Sequence, residues 1–179
     1  MKAFFMKKIV ALIPARKNSA RLLNKNFLKV KKKSLISYTI DSAKKSKIFD
    51  HICVSTDNNK FLKNLKDQSI FKFSRKKKLT SSSARLIDVC IDFIKSFEKK
   101  YGKIDILCLL YATSPLRNYK DIINTVNKLK KKKCNFVISV SNYNLPPHQA
   151  LVIKKNFFAK PLFQKLINKR EDDLGRLVV

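Results

Sequence analysis

An α/β fold with a doubly wound, mostly parallel sheet is what this sequence predicts, and three observations predict it. Short strand-like runs stand at Ile9–Pro14, His51–Thr56, Ile70–Phe73, Ile104–Tyr111 and Asn135–Ser141. Most of the segments between them carry helix-like periodicity, which implies βαβ units. Polar clusters also fall at the ends of the runs, and the carboxyl ends of neighbouring parallel strands line a common crevice.

The apolar residues Ile9 to Ile13 read as a short buried strand. After the first, Ser34 can cap a helix whose Leu35, Ile36, Tyr38, Thr39 and Ala43 lie on or near one face. Leu86, Val89, Cys90, Phe93, Ile94 and Phe97 predict another, stopped by Tyr101-Gly102. Ile122, Ile123, Val126 and Leu129 predict a third, closed by Lys130–Lys133, whose charge suits a helix C-terminus.

With 179 residues the chain can bury one substantial core, so a single domain over residues 1–179 is expected. The net charge is +29, but 34 of the 41 cations are Lys, scattered along the chain with abundant Asn, Ile and Phe, a compositional bias more than a patch. Clustered Lys would suit nucleic acid by releasing counterions. Without an RNP-like aromatic motif or a zinc knuckle, no specific nucleic-acid partner is expected. Cys53, Cys90, Cys108 and Cys134 are widely spaced and mostly within apolar runs, which argues against zinc and disulfides. No stretch reaches membrane-spanning length, so a reduced, cytoplasmic protein is the simplest expectation. Gly102 and Gly175 are the only glycines, so tight turns are expected to fall to Asn and Asp.

The richest cluster is Ile13-Pro-Ala-Arg-Lys-Asn-Ser-Ala-Arg-Leu-Leu-Asn-Lys-Asn26, directly after the first strand. Arg16 and Arg21 can fork onto phosphate oxygens, Lys17 and Lys25 act as compact charges, and Asn18, Ser19, Asn24 and Asn26 supply neutral hydrogen bonds. In so basic a chain a solvated surface loop explains the charge about equally well. The loop has no glycine, and neither GxxxxGK[ST] nor GxGxxG occurs, which excludes kinase-like P-loops and nicotinamide motifs. Ser55-Thr56-Asp57 ends the second run and by itself suits a helix cap for the segment from Asn58. Thr113-Ser114-Pro115-Leu116-Arg117 ends the fourth and by itself suits a turn.

Taken together, Ala15-Arg-x-Asn-Ser-x-x-Leu-x-x-Lys-Asn26, Val54-Ser-Thr-Asp57, Leu86-Ile-Asp-Val89 and Leu109-Leu-x-x-Thr-Ser-Pro-Leu-Arg117 resemble the acylneuraminate cytidylyltransferases. These are the CMP-sialic acid synthetases and their legionaminic and pseudaminic acid relatives. The resemblance implies a Rossmann-like sheet of the nucleotide-diphospho-sugar transferase type. It also implies transfer of CMP from CTP to the 2-hydroxyl of a nine-carbon 2-keto sugar acid, with Mg²⁺ and release of pyrophosphate. On that pattern Arg16 and Lys25 hold the triphosphate, helped by Arg21. Asn18 and Ser19 belong to the same motif, Asn26 contacts the cytidine, and Ser83 or a neighbour in Ser81–Ser83 places the base. Thr113, Ser114 and Arg117 sit at the sugar side, and Asp57 orients the loop or lies near the ribose.

The chain departs from the pattern at Ala20, where relatives carry Lys, at Leu23 and Asn24, where Pro or Gly is usual, and at Tyr111, where a polar group is usual. Relatives continue for some tens of residues beyond the region resembling Lys169–Leu174, through an acidic metal-binding motif. A truncated, weakly active enzyme is therefore one expectation, and the metal ligands are left unassigned. Asp172 and Asp173 suit a solvated tail better than a metal site. The alternative expectation is a non-catalytic basic remnant or interaction module that binds polyanions. Residues Asn142–Gln164, where relatives often dimerise, leave a homodimer open, and His148 there is more readily a bystander than a sugar ligand.

Overall fold

The computed structural model describes residues 7–17, 22–81, 83–132, 134–140, 151–153 and 159–165. The chain divides into two compact units, Met1–Asn135 and Phe136–Val179.

In the first unit, β1 (Ile9–Pro14) pairs in parallel with β4 (His51–Thr56) and with β6 (Ile106–Leu109), and β4 pairs in parallel with β5 (Ile70–Ser74). The sheet order is β5-β4-β1-β6, with β1 and β4 inside. That position explains their composition: Val10, Ala11, Leu12, Ile13, Cys53 and Val54 are fully buried. Helices α1 (Leu35–Ser46), α2 (Asn59–Asn64) and α4 (Tyr119–Lys132) carry Ile36, Ile40, Leu62 and Ile122 into one cluster with Ala11, Ile13, Ile52 and Val54. The opposite face, Val10, Leu12 and Cys53, packs on Cys90, Phe93 and Phe97 of α3 (Leu86–Tyr101). Alternate strand residues thus feed helices on both faces, which is the doubly wound arrangement.

A small hairpin, β2 (Lys29–Val30) with β3 (Lys33–Ser34), precedes α1. Ser34 takes the cap position there, but its hydroxyl lies 2.6 Å from Ser37 Oγ and makes no hydrogen bond to the helix backbone. Gly102 does end α3, with φ 79. Positive φ falls on Asn24 as expected of Asn, but also on Lys31 and Lys47, because the hairpin turn and the α1 C-terminus need it whatever residue stands there. Cys53, Cys90, Cys108 and Cys134 are free thiols, and burial pushes Cys53 up to about 12 and Cys108 up to about 11. No described helix is long and apolar enough to cross a membrane.

The strand expected at Asn135–Ser141 does not form over its described residues. Phe136 and Ile138 are 75% and 71% exposed, and an alternating pattern holds no strand without a neighbour to complete its hydrogen bonds. In the second unit, β7 (Leu151–Ile153) and β8 (Ala159–Pro161) form an antiparallel pair.

Candidate active site

The loop that leaves β1 is held by contacts from three directions, all at the carboxyl edge of the sheet. Ala15 N–H donates to the Ser55 carbonyl at 2.9 Å, continuing the β1–β4 pairing one residue past the strand. The next tie is the Lys17 amide, which donates to Asp57 Oδ1 at 2.6 Å. On the other side the Asn26 carboxamide, buried at the 3₁₀ turn Lys25–Phe27, donates to the Arg16 carbonyl at 3.0 Å. Asn26 and Asp57 therefore both hold the backbone of this loop, at Arg16 and Lys17.

Side chains then face outward from this fixed backbone. The Arg16 guanidinium reaches the Ser81 carbonyl, with Nη1 at 3.2 Å, so the loop after β1 touches the serine turn that follows β5. Ser81 Oγ and Ser83 Oγ are 3.1 Å apart in that turn, and both residues are exposed. Lys25 is exposed beside Asn26. Asn18, Ser19 and Arg21, expected at this site, lie outside the described residues.

Arg75, which the sequence reading did not single out, belongs to the same cluster. It directly follows β5, its amide donates to the Thr56 carbonyl at 3.0 Å, and its Nη2 donates to the Ser55 carbonyl at 3.1 Å. Its Nε is buried without a partner among the described residues. Burial holds the Arg75 pKa below its ordinary value, the nearby Asp57 opposes this, and the Arg16 charge adds to it. The signal that could have found it was its place, two residues past the expected strand Ile70–Phe73, close to where Asp57 stands after its own strand.

Thr113, Ser114 and Arg117 gather separately, in the loop after β6 on the other flank of β1. Thr113 and Ser114 are exposed. Arg117 turns inward instead: Nη2 donates to the Tyr111 carbonyl at 3.2 Å and lies 3.4 Å from Thr39 Oγ1, and Ser42 Oγ donates to the Arg117 carbonyl at 2.9 Å. It braces this loop against α1. Among the described residues no hydrogen bond joins this cluster to Arg16.

The site so built is a cationic, hydroxyl-lined edge suited to holding a polyanion in a fixed pose. Among the described residues no group of three or more metal-ligating side chains exists, and the carboxylate at the edge, Asp57, is engaged with Lys17.

The cytidylyltransferase family profile matches residues 10–159. The chain belongs to the cytidylyltransferase family. It is 31% identical over 174 residues to a pseudaminic acid cytidylyltransferase of Campylobacter jejuni, covering 94% of this chain and 73% of that one. It is 34% identical over 142 residues to an N-acylneuraminate cytidylyltransferase of Escherichia coli, covering 78% of this chain and 32% of that protein. Among solved structures, CMP:2-keto-3-deoxy-manno-octonic acid synthetase in complex with CTP superposes with a TM-score of 0.63 at 16% identity, over 96% of this chain and 70% of that chain. This last likeness shows the shared fold, and the sequence relatives place this chain among the nucleotidyltransferases of the acylneuraminate type.

Proposed function

We propose that this cytidylyltransferase transfers CMP from CTP to the 2-hydroxyl of a nine-carbon 2-keto sugar acid of the sialic, legionaminic or pseudaminic type. The observation that carries the proposal is the loop after β1, whose backbone is fixed by Asp57 and Asn26 so that Arg16 and Lys25 face a polyanion at the sheet edge. The acceptor oxygen attacks the α-phosphorus, the bond from that phosphorus to the bridging oxygen breaks, and pyrophosphate leaves with the electron pair while the hydroxyl proton passes to water. Little covalent work falls to the protein. Its contribution is positioning and neutralising charge on the departing pyrophosphate.

In this reading Arg16 and Lys25, with Arg21, Asn18 and Ser19, hold the triphosphate. Ser83 and Asn26 serve the nucleoside side, and Thr113 and Ser114 meet the acceptor in the loop that Arg117 braces. Mg²⁺ enters as the counterion of the triphosphate, and no step is assigned to it. The work is that of one catalytic domain spanning the chain in the cytoplasm, as a monomer or homodimer, without nucleic acid or membrane.

Calorimetric titration with CTP and ATP in Mg²⁺ at two salt concentrations tests the nucleotide half, and pyrophosphate release with the three acids tests the acceptor. Selective CTP binding that persists at high salt, lost in Arg16→Glu, is expected. The net charge of +29 favours one other reading, a basic module that binds polyanions without catalysis. Equal, salt-sensitive binding of both nucleotides would establish that reading and overturn this one.

A further inference from the structure

We infer that Arg16 also sets the nucleobase selectivity of the site, by holding the serine turn in the shape that meets the base. The inference rests on reading the site as a nucleotide site and assigns a second task to a residue that reading already uses.

Among the described residues the serine turn has few contacts that keep it in place. Ser81 and Ser83 are exposed, and the last buried side chain before them is Leu79. Among the described residues two backbone-directed interactions hold the turn, and both end on one atom. The Ser81 carbonyl accepts from the Ala84 amide at 3.3 Å, which closes the turn, and from Arg16 Nη1 at 3.2 Å, which ties it to the loop after β1. Both lone pairs of that carbonyl are thereby used. Within the closed turn the Ser81 and Ser83 hydroxyls meet at 3.1 Å, so the direction of the Ser83 hydroxyl depends on the closure.

Arg16 is itself a rigid support. Its carbonyl is fixed by buried Asn26, and the residues on either side of it are fixed through Ser55 and Asp57. A guanidinium carries five N–H donors in a planar fork. One on Ser81 leaves four to face phosphate, so phosphate grip and turn closure need not compete. Lysine cannot reproduce this, because its donors share one nitrogen and have no fixed fork. A phosphate seated on Arg16 therefore holds the serine turn still, and the base on that turn is read against a fixed hydroxyl.

The test is the ratio of CTP to UTP affinity, measured by calorimetry at high salt on the full chain carrying Arg16→Lys, Ser83→Ala or both. Arg16→Lys keeps the charge and should lose about tenfold in that ratio. Ser83→Ala should lose a similar factor, and the double variant no more than either alone, as for two residues acting through one element. Ser83 is exposed, so its variant threatens the fold least, and thermal melts of all three exclude general unfolding. An Arg16→Lys variant that weakens both nucleotides equally and keeps the ratio, or losses that add in the double variant, would overturn the inference. Wild-type protein with no preference for CTP would overturn the nucleotide reading itself, and this inference with it.

Discussion

The backbone N–H of Lys17 donates to Asp57 Oδ1 at 2.6 Å, tying the loop after β1 to the carboxyl end of β4. A loop that must present several cations to one polyanion gains from being held before the ligand arrives, because ordering it afterwards would cost binding free energy. Asp57→Ala removes the acceptor, while Asp57→Asn keeps an oxygen in its place. CTP affinity is expected to fall about tenfold in the alanine variant. A clearly smaller loss in the asparagine variant, by calorimetry, would identify the hydrogen bond as the active element, and equal losses would assign the effect to the charge.

Arg75 holds a half-buried guanidinium within the electrostatic reach of Asp57 and Arg16, and its Nε is buried without a partner among the described residues. Replacing such a group by an apolar side chain of similar length is often neutral or favourable for folding. Arg75→Met is therefore expected to keep the urea midpoint while weakening CTP binding, since a cation is lost next to the phosphate loop. Unchanged CTP affinity would reduce Arg75 to a strut for the Ser55 carbonyl.

Lys31 and Lys47 adopt φ 56 and φ 54, a region that costs a residue with a Cβ about 1 kcal/mol and costs glycine little. Lys31→Gly and Lys47→Gly should each raise stability by at most about 0.5 kcal/mol, after allowing for the extra entropy of glycine in the unfolded chain. Denaturant midpoints at constant slope check this. The same change at an exposed lysine within α4, such as Lys128, should instead destabilise by about 1 kcal/mol.

His51 begins β4 among Phe71, Phe97 and Tyr101, with ring centroids 4.8, 5.2 and 5.9 Å away. Burial lowers its pKa below the ordinary 6.5, the Lys8 charge lowers it further, and Asp50 opposes both. The folded state thus binds this proton less readily than the unfolded one. Its contribution is intact above pH 6.5 and is lost as pH falls from 6.5 through the lower folded value. Urea melts should show wild-type stability falling over that interval and His51→Gln falling less.

Much of this was legible in the sequence for identifiable reasons. Strands Ile9–Pro14 and His51–Thr56 match their expected bounds residue for residue, because their central residues Val10–Ile13 and Ile52–Val54 are buried on both faces of the sheet and must be apolar. β6 is shorter than the run Ile104–Tyr111, since pairing with β1 spans only Ile106 to Leu109. Asn135–Ser141 shows the converse: its apolar residues promised a strand, but residues 135–140 form none.

By itself the sequence determined the alternation of strands and helices, the placing of polar clusters at strand ends, and the motifs that mark the family. These follow from local rules, period and composition, that act along the chain. The tertiary structure alone decided which clusters meet. Parallel pairing in the order β5-β4-β1-β6 puts Asp57 under Lys17, brings Arg75 beside Asp57 and lets Arg16 reach Ser81, while Arg117 turns to α1 on the far flank. Such contacts join residues as much as 78 positions apart, as Arg117 and Thr39 are, so no periodicity encodes them. They exist because strand order fixes which carboxyl ends are neighbours.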